Sequence, residues 1–323
     1  MKLRFTTLLF FTTIALLISN VSSALELDKE GNSVGTKSTL KQVMPEFLYS
    51  YLDFDFNSTK GENYNRFQGY SNLYSIGADH IVLDPTITAG VYLFKVDSYI
   101  DSQFFLAPST ENLSSQSIRN NTLFGHIRKF FTPQFDVDLS LGFGQNKVSS
   151  QTIFFPNAET VSGFTSHHTS NWFFGVNGFY KKTWNKLSLR THLGVLYSSI
   201  YAGRYSLSLP SQQTALSVPS LRNEATYFFE DVELASQLTP QFAPFVNGGL
   251  IQVGSFSNNR PFAAPLFNGS LPQLNIEKNG YRVGGGITYL YKQFAVRLEQ
   301  KYYNAGSIYT SNQTILGVEY HFT

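Results

Sequence analysis

From about residue 46 onward the chain alternates apolar and polar side chains with a period of two, segment after segment, and that rhythm restricts it to strands. Phe135, Val137, Leu139, Leu141 and Phe143 alternate with Asp136, Asp138, Ser140, Gly142 and Gly144. Leu187, Leu189, Leu193 and Val195 alternate with Ser188, Arg190, His192 and Gly194, and the same pattern runs through Phe294–Lys301 and Leu316–Phe322. Successive side chains point to opposite faces of a strand, so each segment has one apolar face and one polar or small face. Short turn signals at Asp84-Pro85, Thr132-Pro133, Asn185-Lys186, Thr239-Pro240 and Tyr291-Lys292 recur at spacings of 49, 52, 55 and 51 residues. Between them the alternation lapses into long polar connections near 98–118, 147–169, 199–223 and 255–278, with shorter ones near 57–65 and 304–311. Five short turns on the side that also holds both ends of the sheet require six hairpins, hence about twelve strands.

Short turns at one rim and long loops at the other are the layout of a transmembrane barrel, with periplasmic turns and extracellular loops. Strands of about 10 residues span the apolar layer when tilted, and closure pairs every backbone donor, as lipid demands. A soluble barrel would alternate too, but it would turn charges to water, and here charged residues are only 14% while aromatics reach 16%. Phe130, Phe131, Trp184, Phe242, Tyr289, Tyr291 and Phe322 gather near the short turns, which fits an interfacial girdle. The fold predicted is all-β: a single antiparallel outer-membrane barrel over 47–323.

Residues 1–24 stand apart. Lys2 and Arg4 precede an apolar stretch from Leu8 to Ile18, and Ser22-Ser23-Ala24 offers a small-residue cleavage site. This reads as a secretory signal peptide of a Gram-negative bacterium, too short in its apolar run to span a bilayer as a helix. Removing Lys2 and Arg4 leaves 22 bases against 22 acids, so nothing suggests nucleic acid as a partner. With no cysteine, thiolate metal sites, disulfides and a cysteine nucleophile are excluded, and no cofactor is expected. Residues 25–46 form a periplasmic or lumenal segment, in which 36–44, ended by Pro45, suits a short helix.

The inward face would carry Asp79, His126, Arg128, Asp136, Asp138, Arg190, Asp231, Glu233, Arg282, Arg297, Glu299, Lys301 and Glu319. Both signs occur in similar number, so these residues would either line a water-filled channel or stitch the barrel shut. The long connections contain Phe104-Phe105-Leu106, Ile153-Phe154-Phe155, Leu207, Leu209, Phe262 and Leu266-Phe267. Such apolar residues mark either an extracellular ligand surface or strands that continue beyond the membrane.

Several stretches resemble the translocator β-domains of bacterial autotransporters. They are Ser75-Ile-Gly77-Ala-Asp79 with Asp84-Pro85, Thr88-Ala-Gly90-Val, Leu139-Ser-Leu-Gly142-Phe-Gly144, Gly284 to Gly286, and the closing Gly317-Val-Glu-Tyr320-His-Phe322. The resemblance covers about 47–323 and implies outer-membrane lipid and the barrel-assembly machinery as partners, with Tyr320 and Phe322 as the C-terminal assembly signal. It also implies a lumenal plug for the 36–44 segment. The family's last strand usually ends on its aromatic residue, whereas Thr323 follows Phe322 here. Residues 25–46 leave little to secrete, so the resemblance is read for fold and location. The role expected is non-enzymatic, structural or surface-interacting, with a porin-like solute channel as the alternative. A more distant alternative is an outer-membrane phospholipase-like hydrolase using His168 and Ser170, since His168-Thr-Ser170-Asn171 resembles that family's His-x-Ser-Asn stretch. The group that orients the His must come from elsewhere, and the Trp184-Asn185-Lys186 candidate falls at the opposite rim.

Overall fold

The computed structural model describes residues 43–60, 63–106, 110–155, 160–258 and 279–322. The expected signal peptide and nearly all of the 36–44 helix lie outside the described residues, and Met44 already belongs to the first strand. The strands are β1 (Met44–Lys60), β2 (Asn63–Asp84), β3 (Ile87–Leu106), β4 (Thr110–Phe130), β5 (Phe135–Phe154), β6 (Val161–Trp184) and β7 (Leu187–Ala202). They continue with β8 (Tyr205–Leu209), β9 (Thr214–Val218), β10 (Leu221–Ser236), β11 (Phe242–Asn258), β12 (Asn279–Tyr291), β13 (Phe294–Ala305) and β14 (Tyr309–Tyr320). Twelve of them form a closed antiparallel wall in which sequence neighbours pair, β7 pairs β10, and β1 meets β14. The remaining two, β8 and β9, make a small hairpin attached to β6 at Phe164↔Ser208.

The short turns explain the rim. Thr132-Pro133-Gln134-Phe135 and Thr239-Pro240-Gln241-Phe242 are the same tetrapeptide and fold alike. In each, the Thr hydroxyl oxygen accepts from the N–H groups of the Gln and the Phe, at 3.2 and 3.0 Å in one and 3.3 and 3.1 Å in the other. Asn185 and Lys292 take positive φ, 52° and 53°, the backbone handedness that two-residue hairpins prefer. Asp84 closes its own turn by accepting from Thr86 N–H and Oγ1–H.

At the opposite rim the described parts of the long connections are mostly strand. β3 runs to Leu106, β5 to Phe154 and β11 to Asn258, so the sheet extends past any lipid layer. There the outward residues turn polar: Asp55, Arg66, Gln145 and Lys147 are exposed. Alternation lapses in sequence because both faces are then mixed. Phe105 stacks on Tyr64 at 5.5 Å and Leu209 is buried beside Val161, while Phe262, Leu266 and Phe267 lie outside the described residues.

Below this extension the outer face is an apolar band. Ile76, Leu93, Leu139, Val246 and Leu298 are among its exposed side chains. Aromatics edge it on both sides: Phe131, Trp184, Tyr291 and Phe322 near the short turns, and Trp172, Tyr281 and Tyr302 with the stacked row Tyr51–Tyr70–Tyr99 away from them. Rings suit these boundaries, apolar at one end and wet at the other. Leu193 is 63% exposed in this band, whereas Ser188 faces inward on the same strand. Leu193→Arg should therefore destabilise the refolded barrel by about 2–4 kcal/mol and Ser188→Arg by much less, as read from urea titrations in lipid. Equal losses would reverse the assignment of faces.

Candidate functional site: a hydrogen-bonded belt on the inner face

Inside the short-turn half of the barrel, polar side chains from neighbouring strands meet one another. Tyr92 Oη on β3 donates to Glu46 Oε2 on β1 at 2.7 Å. Asp79 on β2 stands 3.3 Å from His126 Nε2 on β4, and His126 Nδ1 is 2.5 Å from Asp138 on β5. Asn177 on β6 donates to Asp138 at 3.4 Å and its Oδ1 lies 3.0 Å from His192 Nε2 on β7. His192 Nδ1 is 3.2 Å from Asp231 on β10, and Arg282 on β12 donates to both oxygens of that carboxylate. On β13, Glu299 accepts from Asn247 on β11 and pairs with Lys301 Nζ at 2.9 Å and Arg297 Nη2 at 3.2 Å. Arg297 also reaches Glu233 on β10 at 2.6 Å, over the Phe245 ring at 3.7 Å. Glu319 on β14 pairs with His321 at 3.5 Å. Every strand of the wall contributes.

Two inner-face glycines show how residues on alternate strands come together. His126 and Asp79 meet across β3 at Gly90, where an added Cβ would strike the imidazole and approach the carboxylate. Asp231 meets Arg282 across β11 at Gly249, where an added Cβ would strike the Asp231 carboxylate. Gly90 and Gly249 are therefore spacers for the belt, and Gly142 in the same way leaves room for the Phe173 ring.

All the charged residues expected on the inner face lie on that side of the strands. Asp79, His126, Asp138, Asp231, Glu233, Arg282, Arg297, Glu299, Lys301 and Glu319 enter the belt. Asp136 and Arg128 form a separate two-bond pair at 2.6 and 2.7 Å, and Arg190 lies over the Phe179 ring. The sequence did not single out Glu46, Tyr92, Asn177, His192 or Asn247 as members. Their place on the face of their strand that carries the other belt residues was the available signal.

The inner face is not polar throughout, which departs from the sequence expectation. Leu52, Phe54, Leu73, Phe94, Ile100, Phe124, Phe173, Tyr227 and Ile315 belong to one buried cluster further from the short turns. On β4 to β6 a neutral ladder adjoins it: Asn120 donates to Asn146 at 2.7 Å and Asn171 at 3.0 Å, and Asn146 donates to Thr169 at 2.8 Å. The hydrolase arrangement does not assemble. His168 and Ser170 are exposed on the outer face, Asn171 is buried on the inner one, and Asn185 sits in a short turn at the far rim. His167 and His168 likewise face opposite sides, and among the described residues no group of His, Asp and Glu could hold a metal. At the C-terminus, Tyr320 packs edge-on against Phe294 at 5.1 Å and Phe322 at 4.9 Å, and its hydroxyl donates to Gln293.

A closed twelve-stranded wall with this girdle and this last strand is the architecture of a translocator barrel. The autotransporter β-domain family model matches residues 52–299, so the chain belongs to that family. It is similar in structure to the translocator domain of the autotransporter NalP from Neisseria meningitidis, at 14% identity with a TM-score of 0.70, each chain covered to 98%. It is also similar to the β-domain of the Bordetella autotransporter BrkA (11% identity, TM-score 0.60, covering 87% of this chain and all of that one). The transport unit of AIDA-I from Escherichia coli matches at 11% identity and a TM-score of 0.58, covering 94% and 97% of the two chains. No curated protein matches. The family places the barrel in the outer membrane, in contact with its lipid.

Removing one partner of a buried ion pair leaves its neighbours unpaired. Glu299 is 1% exposed, so Glu299→Leu should lower unfolding stability by about 3–5 kcal/mol. Lys95, whose pair with Asp97 lies on the outside with Lys95 57% exposed, should tolerate Lys95→Leu at a cost of about 0–1 kcal/mol. Equilibrium unfolding of the two variants side by side checks this contrast.

Proposed function

We propose that the chain is a non-enzymatic membrane barrel whose lumen is shut to solutes by its own side chains and whose extracellular extension is its contact surface. The observation that supports this is the belt. Its charges are bonded to one another and largely buried, whereas a conducting lumen needs hydrated, accessible charge. The separation of His168 and Ser170 from Asn185, which sits in the short turn at the opposite rim, speaks against the hydrolase alternative. The strands that rise past the apolar band, with polar residues outward and a hairpin folded against β6, supply a surface for binding cells or matrix. Tyr320 and Phe322, at the seam strand's end, suit a signal read by the barrel-assembly machinery.

Planar-bilayer recordings of the exported chain, residues 25–323, test the closed lumen. The inserted barrel should stay silent, and Arg297→Gln should not impose an ion selectivity. A steady open level that shifts in Arg297→Gln or Glu299→Gln would make the protein a solute channel instead. Binding to cells or matrix should fall when the β3–β4 or β5–β6 tip is shortened.

A further inference from the structure

One carboxylate is on the wrong face. Glu230 on β10 points outward, with Phe228 and Val232 on either side along the strand. Across the sheet it is flanked by Leu193 on β7 and Leu250 on β11. All four neighbours are lipid-facing, 42%, 50%, 63% and 45% exposed. Glu230 is itself exposed and makes no hydrogen bond or ion pair among the described residues. It stands six residues from the strand's end at Ser236, or about 15 Å above the rim for a tilted strand, near the middle of a ~25 Å apolar band. A charge in that position is disfavoured by lipid and persists where something pairs with it.

The outer face holds a complementary group. Lys95 on β3 is exposed, rises above the lipid-facing Val91 and Leu93, and stands eight residues from the strand's start at Ile87, about 20 Å up by the same geometry. Its partner Asp97 is itself partly exposed, at 3.1 Å, so little holds the lysine there. Beside Glu230 the outer surface is low: Gly248, opposite Val232, would give an added Cβ nothing nearer than a carbonyl at 3.6 Å. A long, flexible lysine stem spans the few ångströms of depth that separate the two charges.

We infer that the partner of Glu230 is a second copy of this chain, whose β3 face docks on the β7–β10–β11 face and brings Lys95 to the carboxylate. The two faces differ, so the contact is head-to-tail and propagates barrels into rows within the membrane rather than closing a two-fold pair. The inference is independent of whether the lumen conducts.

The absence of cysteine makes single-cysteine reporters clean. The exported chain, labelled at Lys186→Cys with donor or acceptor dyes, is reconstituted in phosphatidylethanolamine–phosphatidylglycerol vesicles and energy transfer is followed against protein density. Association should weaken at least tenfold in Glu230→Leu and in Lys95→Leu, and return in the charge exchange Glu230→Lys with Lys95→Glu. Glu230→Leu suits its lipid-facing site and should fold, which keeps the test open if the exchange variant does not. Oxidation of a mixture of Val232→Cys and Leu93→Cys chains should link one to the other. A monomeric chain, association indifferent to both leucine variants, or a Val232→Cys chain that cross-links to itself would each overturn the inference.

Discussion

Everything in this molecule depends on the seam between β1 and β14. In hydrocarbon no water is available to an unpaired N–H or C=O, so an open sheet edge is not tolerated. The seam removes the last edges: pairing runs from Phe56↔Tyr309 down to Glu46↔Glu319. The C-terminal strand is therefore part of the closure. Its aromatic end, Tyr320 packed on Phe294 with Phe322 beside it, sits where the ring of strands is completed.

Closure turns the two faces of each strand into two solvents. Outside, lipid selects Leu, Val, Ile and Phe between two rows of aromatics. Inside, a buried charge must be bonded or it destabilises the fold, and the belt answers that demand with alternating acids, bases and amides around the circumference. Arg297 illustrates the arrangement, donating to Glu233 and Glu299 while its guanidinium lies on Phe245. Further out, the same inner face needs no charge and packs Phe54, Phe94, Phe124 and Tyr227 together.

Much of the fold was legible because its signal is local. Alternation in Phe135–Phe143 and Leu316–Phe322 needs only the pleat, and Thr-Pro or Asn-Lys turns need only their own backbone. The membrane-side turns and the number of wall strands were readable for that reason. The extracellular strands were not: in the upper part of β3, Ser98, Ile100 and Ser102 face inward while Tyr99 and Asp101 face outward, so apolar and polar residues stand on both faces and the period disappears. The charged half of the inner face was visible as a set, but not as a network. Asp231 and Arg282 are 51 residues apart in the chain, and nothing local says that Gly249 will let them touch.

The sequence alone therefore determined the twelve wall strands, their order and their membrane-side turns, because a strand's pleat and a turn's dihedrals are properties of neighbouring residues. Tertiary structure decided which polar groups satisfy one another, where the inner face becomes apolar, and that Glu230 is stranded on the lipid side of β10. Those outcomes depend on register and shear between strands far apart in the chain. One residue of slip would exchange the two faces, and only the closed sheet sets that register.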